Sequence, residues 1–222
     1  MWGRKRKQPP VENEGAAAST VDVSPVDVAS TVDAGSTVDP AVTAAEAEEF
    51  ARPLVHGGFS TPEDIAVAIT EYFDPDEQPV SLDEARAIVD RLWRERLAEQ
   101  RSWPAVTDAD RVLAAFSALS GSGVVARPDF TCCQNCGVTE IGAEAAPGDR
   151  GFVFFHQQDT ARITEGGELM LSFGPFSGSG TATAQVGQTV VAALRAQDLS
   201  VTWDGSPDER IRVAVDWQKR LS

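Results

Sequence analysis

The chain has 222 residues, a formal net charge of −15 and 42% hydrophobic residues, enough to bury a core in one domain or two small ones. No stretch approaches the roughly 20 apolar residues of a membrane span, and the acidic balance repels phosphate backbones, which argues against both a membrane and a nucleic-acid partner. Three cysteines, all within positions 132–136, are too few and too clustered for a disulfide framework; with no apolar stretch after the basic start Arg4–Lys7, the chain reads as cytoplasmic.

Residues 1–43 hold four basic and six acidic residues and repeat a short unit: Ser19-Thr20-Val21-Asp22, Ser24-Pro25-Val26-Asp27, Ser30-Thr31-Val32-Asp33 and Ser36-Thr37-Val38-Asp39. Positions 8–43 contain no aromatic residue and no Leu, so this segment is expected to be a disordered tether. Order is expected from Thr43, read as the cap of a helix running to about residue 55. Thr61-Pro62-Glu63-Asp64 starts a second helix, with Ile65, Ala68, Ile69, Tyr72 and Phe73 on one face. Ser81-Leu82-Asp83-Glu84 starts a third, with the stripe Ala85, Ile88, Val89, Leu92, Trp93 and Leu97. Thr107-Asp108-Ala109-Asp110 starts a fourth, carrying Val112, Leu113, Phe116 and Leu119. The acidic stretch 74–84 lacks the glycine and the final acid of a calcium loop and reads as a plain connection.

The pattern then changes to strands at 123–126, 151–155 and 168–173, a helix at 182–197 with Val186, Val190 and Leu194 inward, and strands at 199–203 and 210–215. Helix-strand-strand thus occurs twice, a candidate duplication. The expected fold is α+β: a helical part at 44–120 packed on an α/β part at 121–222, the latter a mainly antiparallel sheet with helices on one face. Trp93 and Trp203 are expected in the core.

Two segments concentrate the reactive groups. Cys133-Gln134-Asn135-Cys136 precedes what reads as a helix start, where a thiolate is stabilised. Phe154-Phe155-His156-Gln157-Gln158-Asp159-Thr160 ends an apolar run with polar groups. Three readings stand side by side. The cysteines fill space as small hydrophobes; Cys133 and Cys136 form a redox dithiol; or Cys133, Cys136 and His156 hold zinc, with Asp159 or Cys132 as a fourth ligand. Adjacent Cys132 and Cys133 are expected to point apart. His156 and Asp159 form a candidate base and orienter, with a helix-capping role for Asp159 or Thr160 as the plainer reading. The candidate catalytic set is therefore Cys133, Cys136, His156 and Asp159.

Thr131-Cys132-Cys133-Gln134-Asn135-Cys136-Gly137, Gly151-Phe152-Val153-Phe154-Phe155-His156-Gln157-Gln158-Asp159-Thr160, Val201-Thr202-Trp203-Asp204-Gly205 and Arg210-Ile211 together resemble a family of actinobacterial-type proteins described as a domain of unknown function. The resemblance spans roughly residues 55–222. It implies a bacterial, cytoplasmic single module with the tail as an addition, and no catalytic residues. The functional expectation is a non-enzymatic module that binds a protein or a small ligand near Cys133 and His156. The alternative is a thiol-redox or zinc-dependent protein built on Cys133, Cys136 and His156.

Overall fold

A computed structural model of the chain describes residues 40–73 and 80–222. The tether reading of residues 1–39, its repeated Ser-x-x-Asp units and the acidic positions 74–79 lie outside the described residues. Four helices come first: α1 (Pro40–Gly57), α2 (Pro62–Tyr72), α3 (Leu82–Glu99) and α4 (Asp108–Ser120). The order continues β1 (Val124–Arg127), α5 (Gln134–Glu140), β2 (Gly151–Phe154), α6 (Gln157–Thr164), β3 (Leu169–Pro175), α7 (Thr181–Arg195), β4 (Ser200–Thr202) and β5 (Ile211–Ala214). None of the described helices is long and apolar enough to cross a membrane.

The starts of α2, α3 and α4 follow from local chemistry. Thr61, Ser81 and Thr107 each accept a hydrogen bond from the backbone N–H three residues on, while Asp64, Glu84 and Asp110 accept from the cap's own N–H. Reciprocal caps of this kind satisfy two otherwise orphaned donors per helix. Thr43 does not cap α1. The helix begins at Pro40, and Thr43 is buried inside it; a proline at the first turn loses no helical hydrogen bond.

The five strands run in the order β1-β2-β3-β5-β4. β1 and β2 are parallel, with Val124 opposite Gly151; the remaining neighbours are antiparallel. The sheet is thus mixed and mainly antiparallel. The two helix-strand-strand units are not alike, because β1 and β2 pair in parallel whereas β4 and β5 form an antiparallel pair. A parallel pair needs a crossover, and here residues 128–150 supply it, carrying all three cysteines.

The strands alternate between two apolar layers. Val124, Ala126, Val153, Leu169, Leu171, Ile211 and Val213 face α4 and α7. Val125 and Phe154 face the other way, against Ile141 and the α5 region. Phe154 and its neighbour Phe155 are fully buried on opposite sides, each contributing about 1.5–3 kcal/mol by the usual scale for a buried aromatic side chain. Gly137 lets α5 close on β2: a Cβ there would lie 2.4 Å from the Phe154 ring.

α1, α2 and α3 enclose a second core of Ala47, Ala51, Val55, Ile65, Ile69, Val89 and Leu92. α4 packs on the sheet instead, so the helical layer of the α/β half starts before residue 120. The C-terminal segment ties the two cores together. Trp217 is buried in the sheet core and donates from Nε1 to the Gly57 carbonyl (3.2 Å), while Leu221 sits in the helical core. Arg220 pairs with Asp110 at 2.6 Å. The described residues accordingly belong to one compact unit.

Two packing expectations change. Trp93 and Trp203 are only partly buried, and Trp217 takes the deep position. On α3 the last inward residue is Arg96, not Leu97. The Arg96 guanidinium donates to the Trp217 carbonyl at 2.9 Å and lies 4.4 Å from the Trp103 ring centroid, so charge and stem are both accommodated.

Candidate functional site

The site forms where the chain leaves the carboxyl ends of the parallel strands β1 and β2, the edge at which ligands gather in sheets with crossovers. Two loops meet there. The Phe130 N–H donates to the Phe155 carbonyl (2.8 Å), and the Gln157 N–H donates to the Thr131 carbonyl (3.1 Å). On either side of Phe130, Asp129 and Thr131 both adopt left-handed backbone, at φ 50° and 59°. For β-branched Thr131 this is a strained conformation, costing on the order of 1–3 kcal/mol, of a kind that clusters at functional sites.

That turn changes the expected cysteine geometry. Cys132 and Cys133 do not diverge to unrelated places: the thiol sulfurs of Cys132, Cys133 and Cys136 all lie within 4.8 Å of one another. Cys132 Sγ is 3.5 Å from Cys136 Sγ. None of the three is in a disulfide; Cys132 is exposed and the other two are half-buried. Cys133 is the N-cap of α5, so the helix starts at Gln134 with Cys136 in its first turn, rather than after the Cys-x-x-Cys as expected. Its thiol is held below the usual range by the Cys136 backbone N–H first, then by the Cys136 and Cys132 thiols. Cys136 is pushed up to about 12, chiefly by its hydrogen bond with Cys132.

His156 and Asp159 are brought together, but in a different setting. His156 is buried and caps α6: its Nδ1 accepts from the Asp159 N–H at 3.3 Å, and its Nε2 is 3.0 Å from Asp159 Oδ2. α6 therefore begins earlier than a helix capped by Asp159 or Thr160 would. Burial lowers the imidazole's proton affinity and outweighs the pull of Asp159. Asp159 is wholly buried and also accepts from Arg210, through both terminal nitrogens, and from Arg162 at 2.8 Å. The ring and carboxylate thus serve a charge network that pins α6 to β5. Among the described residues, the one grouping of three or more metal-capable side chains is the cysteine trio, without His156 or Asp159.

A cleft of about 600 Å³ opens beside these loops. Phe50, Pro53 and Leu54 of α1, Phe59, and Tyr72 form its apolar wall; Asp129, Cys132, Gln157 and Gln158 form its polar side. Phe50 and Tyr72 stack at the rim, ring centroids 4.3 Å apart. Asp129 accepts from Thr160 Oγ1 at 2.6 Å. Its carboxyl is raised to about 6, because desolvation outweighs the Thr160 hydrogen bond and the Lys219 charge.

Asp129 was not singled out as a site group from sequence, and Cys132 was named only as an alternative fourth zinc ligand. Asp129 lies between Pro128 and Phe130, a context that reads as an ordinary turn, and nothing local signals its burial. Arg210 was visible as the first residue of a strand and as part of a family motif, but not as the partner of Asp159. The aromatic rim comes from two helices, so it exists only after α1 and α2 pack.

The model of a family described as "Domain of unknown function (DUF6891)" matches residues 40–221, and the chain belongs to that family. The expected resemblance to a domain of unknown function stands to that extent. No curated protein and no solved structure matches the chain.

Proposed function

We propose that this member of the DUF6891 family is a non-enzymatic binding module that takes a small, largely apolar molecule into the cleft between α1 and α6. The carrying observation is the coincidence at one place of the apolar cleft of about 600 Å³ and a desolvated carboxyl raised to about 6. Small-molecule sites have this composition: mostly apolar lining with a few convergent polar groups and perturbed acidities. The ligand's body would lie against Phe50, Leu54, Phe59 and Tyr72, and a polar end would meet Asp129 or the two glutamines. The odd number and tight clustering of the cysteines support a reducing, cytoplasmic setting.

The test uses N-phenylnaphthylamine, a neutral dye that fluoresces when desolvated. One saturable site per chain is expected. Ala161→Phe places a ring in the cleft from the second turn of α6, where Ala161 is half-buried. It should weaken dye binding at least tenfold while the melting temperature stays within a few degrees. Dye binding that does not saturate, or that Ala161→Phe leaves unchanged, would overturn the reading.

A further inference from the structure

We propose that Cys132, Cys133 and Cys136 together bind one Zn2+ ion, with its fourth coordination position open to water or to the cleft. This assignment goes beyond the cleft reading and does not depend on it. Zinc takes thiolate ligands at about 2.3 Å in tetrahedral array, which sets neighbouring sulfurs about 3.8 Å apart. Here Cys132 and Cys136 stand at 3.5 Å and the whole trio lies within 4.8 Å. Changes of up to about 1 Å in sulfur separation, within reach of side-chain rotation, would bring the three to that spacing.

The rest of the cluster is consistent with an ion. Binding exchanges three thiol protons for one dication, whose charge offsets the repulsion among the three thiolates formed. Among the described residues no lysine or arginine hydrogen-bonds to these sulfurs; their side-chain partner is another thiol. A disulfide would use two of the three sulfurs and leave the third beside it; an ion uses all three. The segments that carry the sulfurs are themselves held in place. Thr131 Oγ1 donates to the Cys133 carbonyl (3.2 Å), and Gly137 seats α5 against Phe154.

Three protein ligands are the number found in zinc sites that keep an exchangeable position. Cys132 both belongs to the trio and lines the cleft. The open position would therefore lie at the edge of the cleft, where a ligand with an anionic or sulfur donor could reach it. His156, the ligand sequence reasoning would choose, is committed to the α6 cap and to Asp159.

The experiment loads full-length, reduced, chelator-stripped protein with Co2+ as a spectroscopic stand-in for zinc. One Co2+ per chain is expected, with a sulfur-to-cobalt charge-transfer band that Zn2+ displaces stoichiometrically. Cys132→Ser, Cys133→Ser and Cys136→Ser should each weaken the band and lower zinc affinity at least tenfold, while His156→Gln keeps both. A second measurement needs no variant: Zn2+ should slow alkylation of all three cysteines in the wild-type chain, read site by site by mass spectrometry. No charge-transfer band, a band that survives Cys132→Ser, or zinc that protects only two thiols would overturn the proposal. Because dye binding to the cleft is a separate readout, loss of the metal reading and loss of the cleft reading are distinguishable.

Discussion

The two clusters at the carboxyl end of the parallel pair contain the residue types from which active sites are built, yet they differ in what those residues are free to do. In the first, Asp159 is wholly buried and held by Arg210 and Arg162, and His156 is sealed beneath it as a helix cap. In the second, three thiols converge with Cys132 exposed, and the left-handed Thr131 marks strain in the connection that holds them. A side chain fully engaged within the fold supports the fold; one held in place without a partner for its charge or lone pairs is available to a ligand. The residue types alone do not separate these cases, and the partners do.

The sharpest way to break this comparison is Asp159→Ala. Removing one side of a buried ion pair strands the other charge, which costs about 3–5 kcal/mol. Arg210 is left in that position, with its Nε already unpartnered. Urea unfolding should show a loss of that size, and the alkylation rates of the cysteines should not change. A variant as stable as the parent would mean that the network is not structural and that His156 and Asp159 belong back among candidate chemical groups.

Asp129 gives a smaller, pH-dependent effect. Its folded-state pKa is raised to about 6, above the value near 3.9 of an unfolded aspartate. Between those values the folded chain binds the extra proton. Its contribution to stability is therefore present below the unfolded pKa and is lost as pH rises through about 6, by up to about 3 kcal/mol. Asp129→Asn should remove this slope, so the difference in unfolding free energy between variant and parent should grow in the variant's favour from pH 4 to pH 7. Parallel profiles would place the Asp129 carboxyl in water and remove it from the cleft's chemistry.

Much of this molecule was legible before folding, for local reasons. The caps at Thr61, Ser81 and Thr107 need only a side chain and a backbone N–H three residues on, and each helix starts where its cap stands. The strand segments were equally plain from their apolar runs. What escaped depends on distant pairing. The parallel β1–β2 pair, and hence the crossover bearing the cysteines, cannot be read from strand lengths. Arg96 is buried because Trp217, 121 positions later, offers its carbonyl. Cys132 joins Cys136 by way of the turn at Thr131, a conformation that β-branched residues seldom adopt.

The smallest stability effect belongs to the open cluster, and that is what sets it apart from the sealed one. Cys132 is exposed, and Cys133 and Cys136 are half-buried. Serine at position 132 should change metal-free stability by no more than about 0.5 kcal/mol, the usual range for surface substitutions away from special features. The reactivity contrast within the cluster should nonetheless be large. Cys133 lies below its ordinary acidity range while Cys136 is pushed up to about 12, so iodoacetamide should modify Cys133 first as pH is raised and Cys136 last. The thiolate of Cys133 is favoured by hydrogen bonds from the Cys136 backbone and from both neighbouring thiols. Cys132→Ser replaces one of those donors, and Cys136→Ser another; each should alter the alkylation profile of Cys133 without shifting the urea midpoint. Equal reactivity of all three thiols would show that they do not share protons, and a large drop in metal-free stability on Cys132→Ser would show that the cluster is packed into the fold as firmly as Asp159.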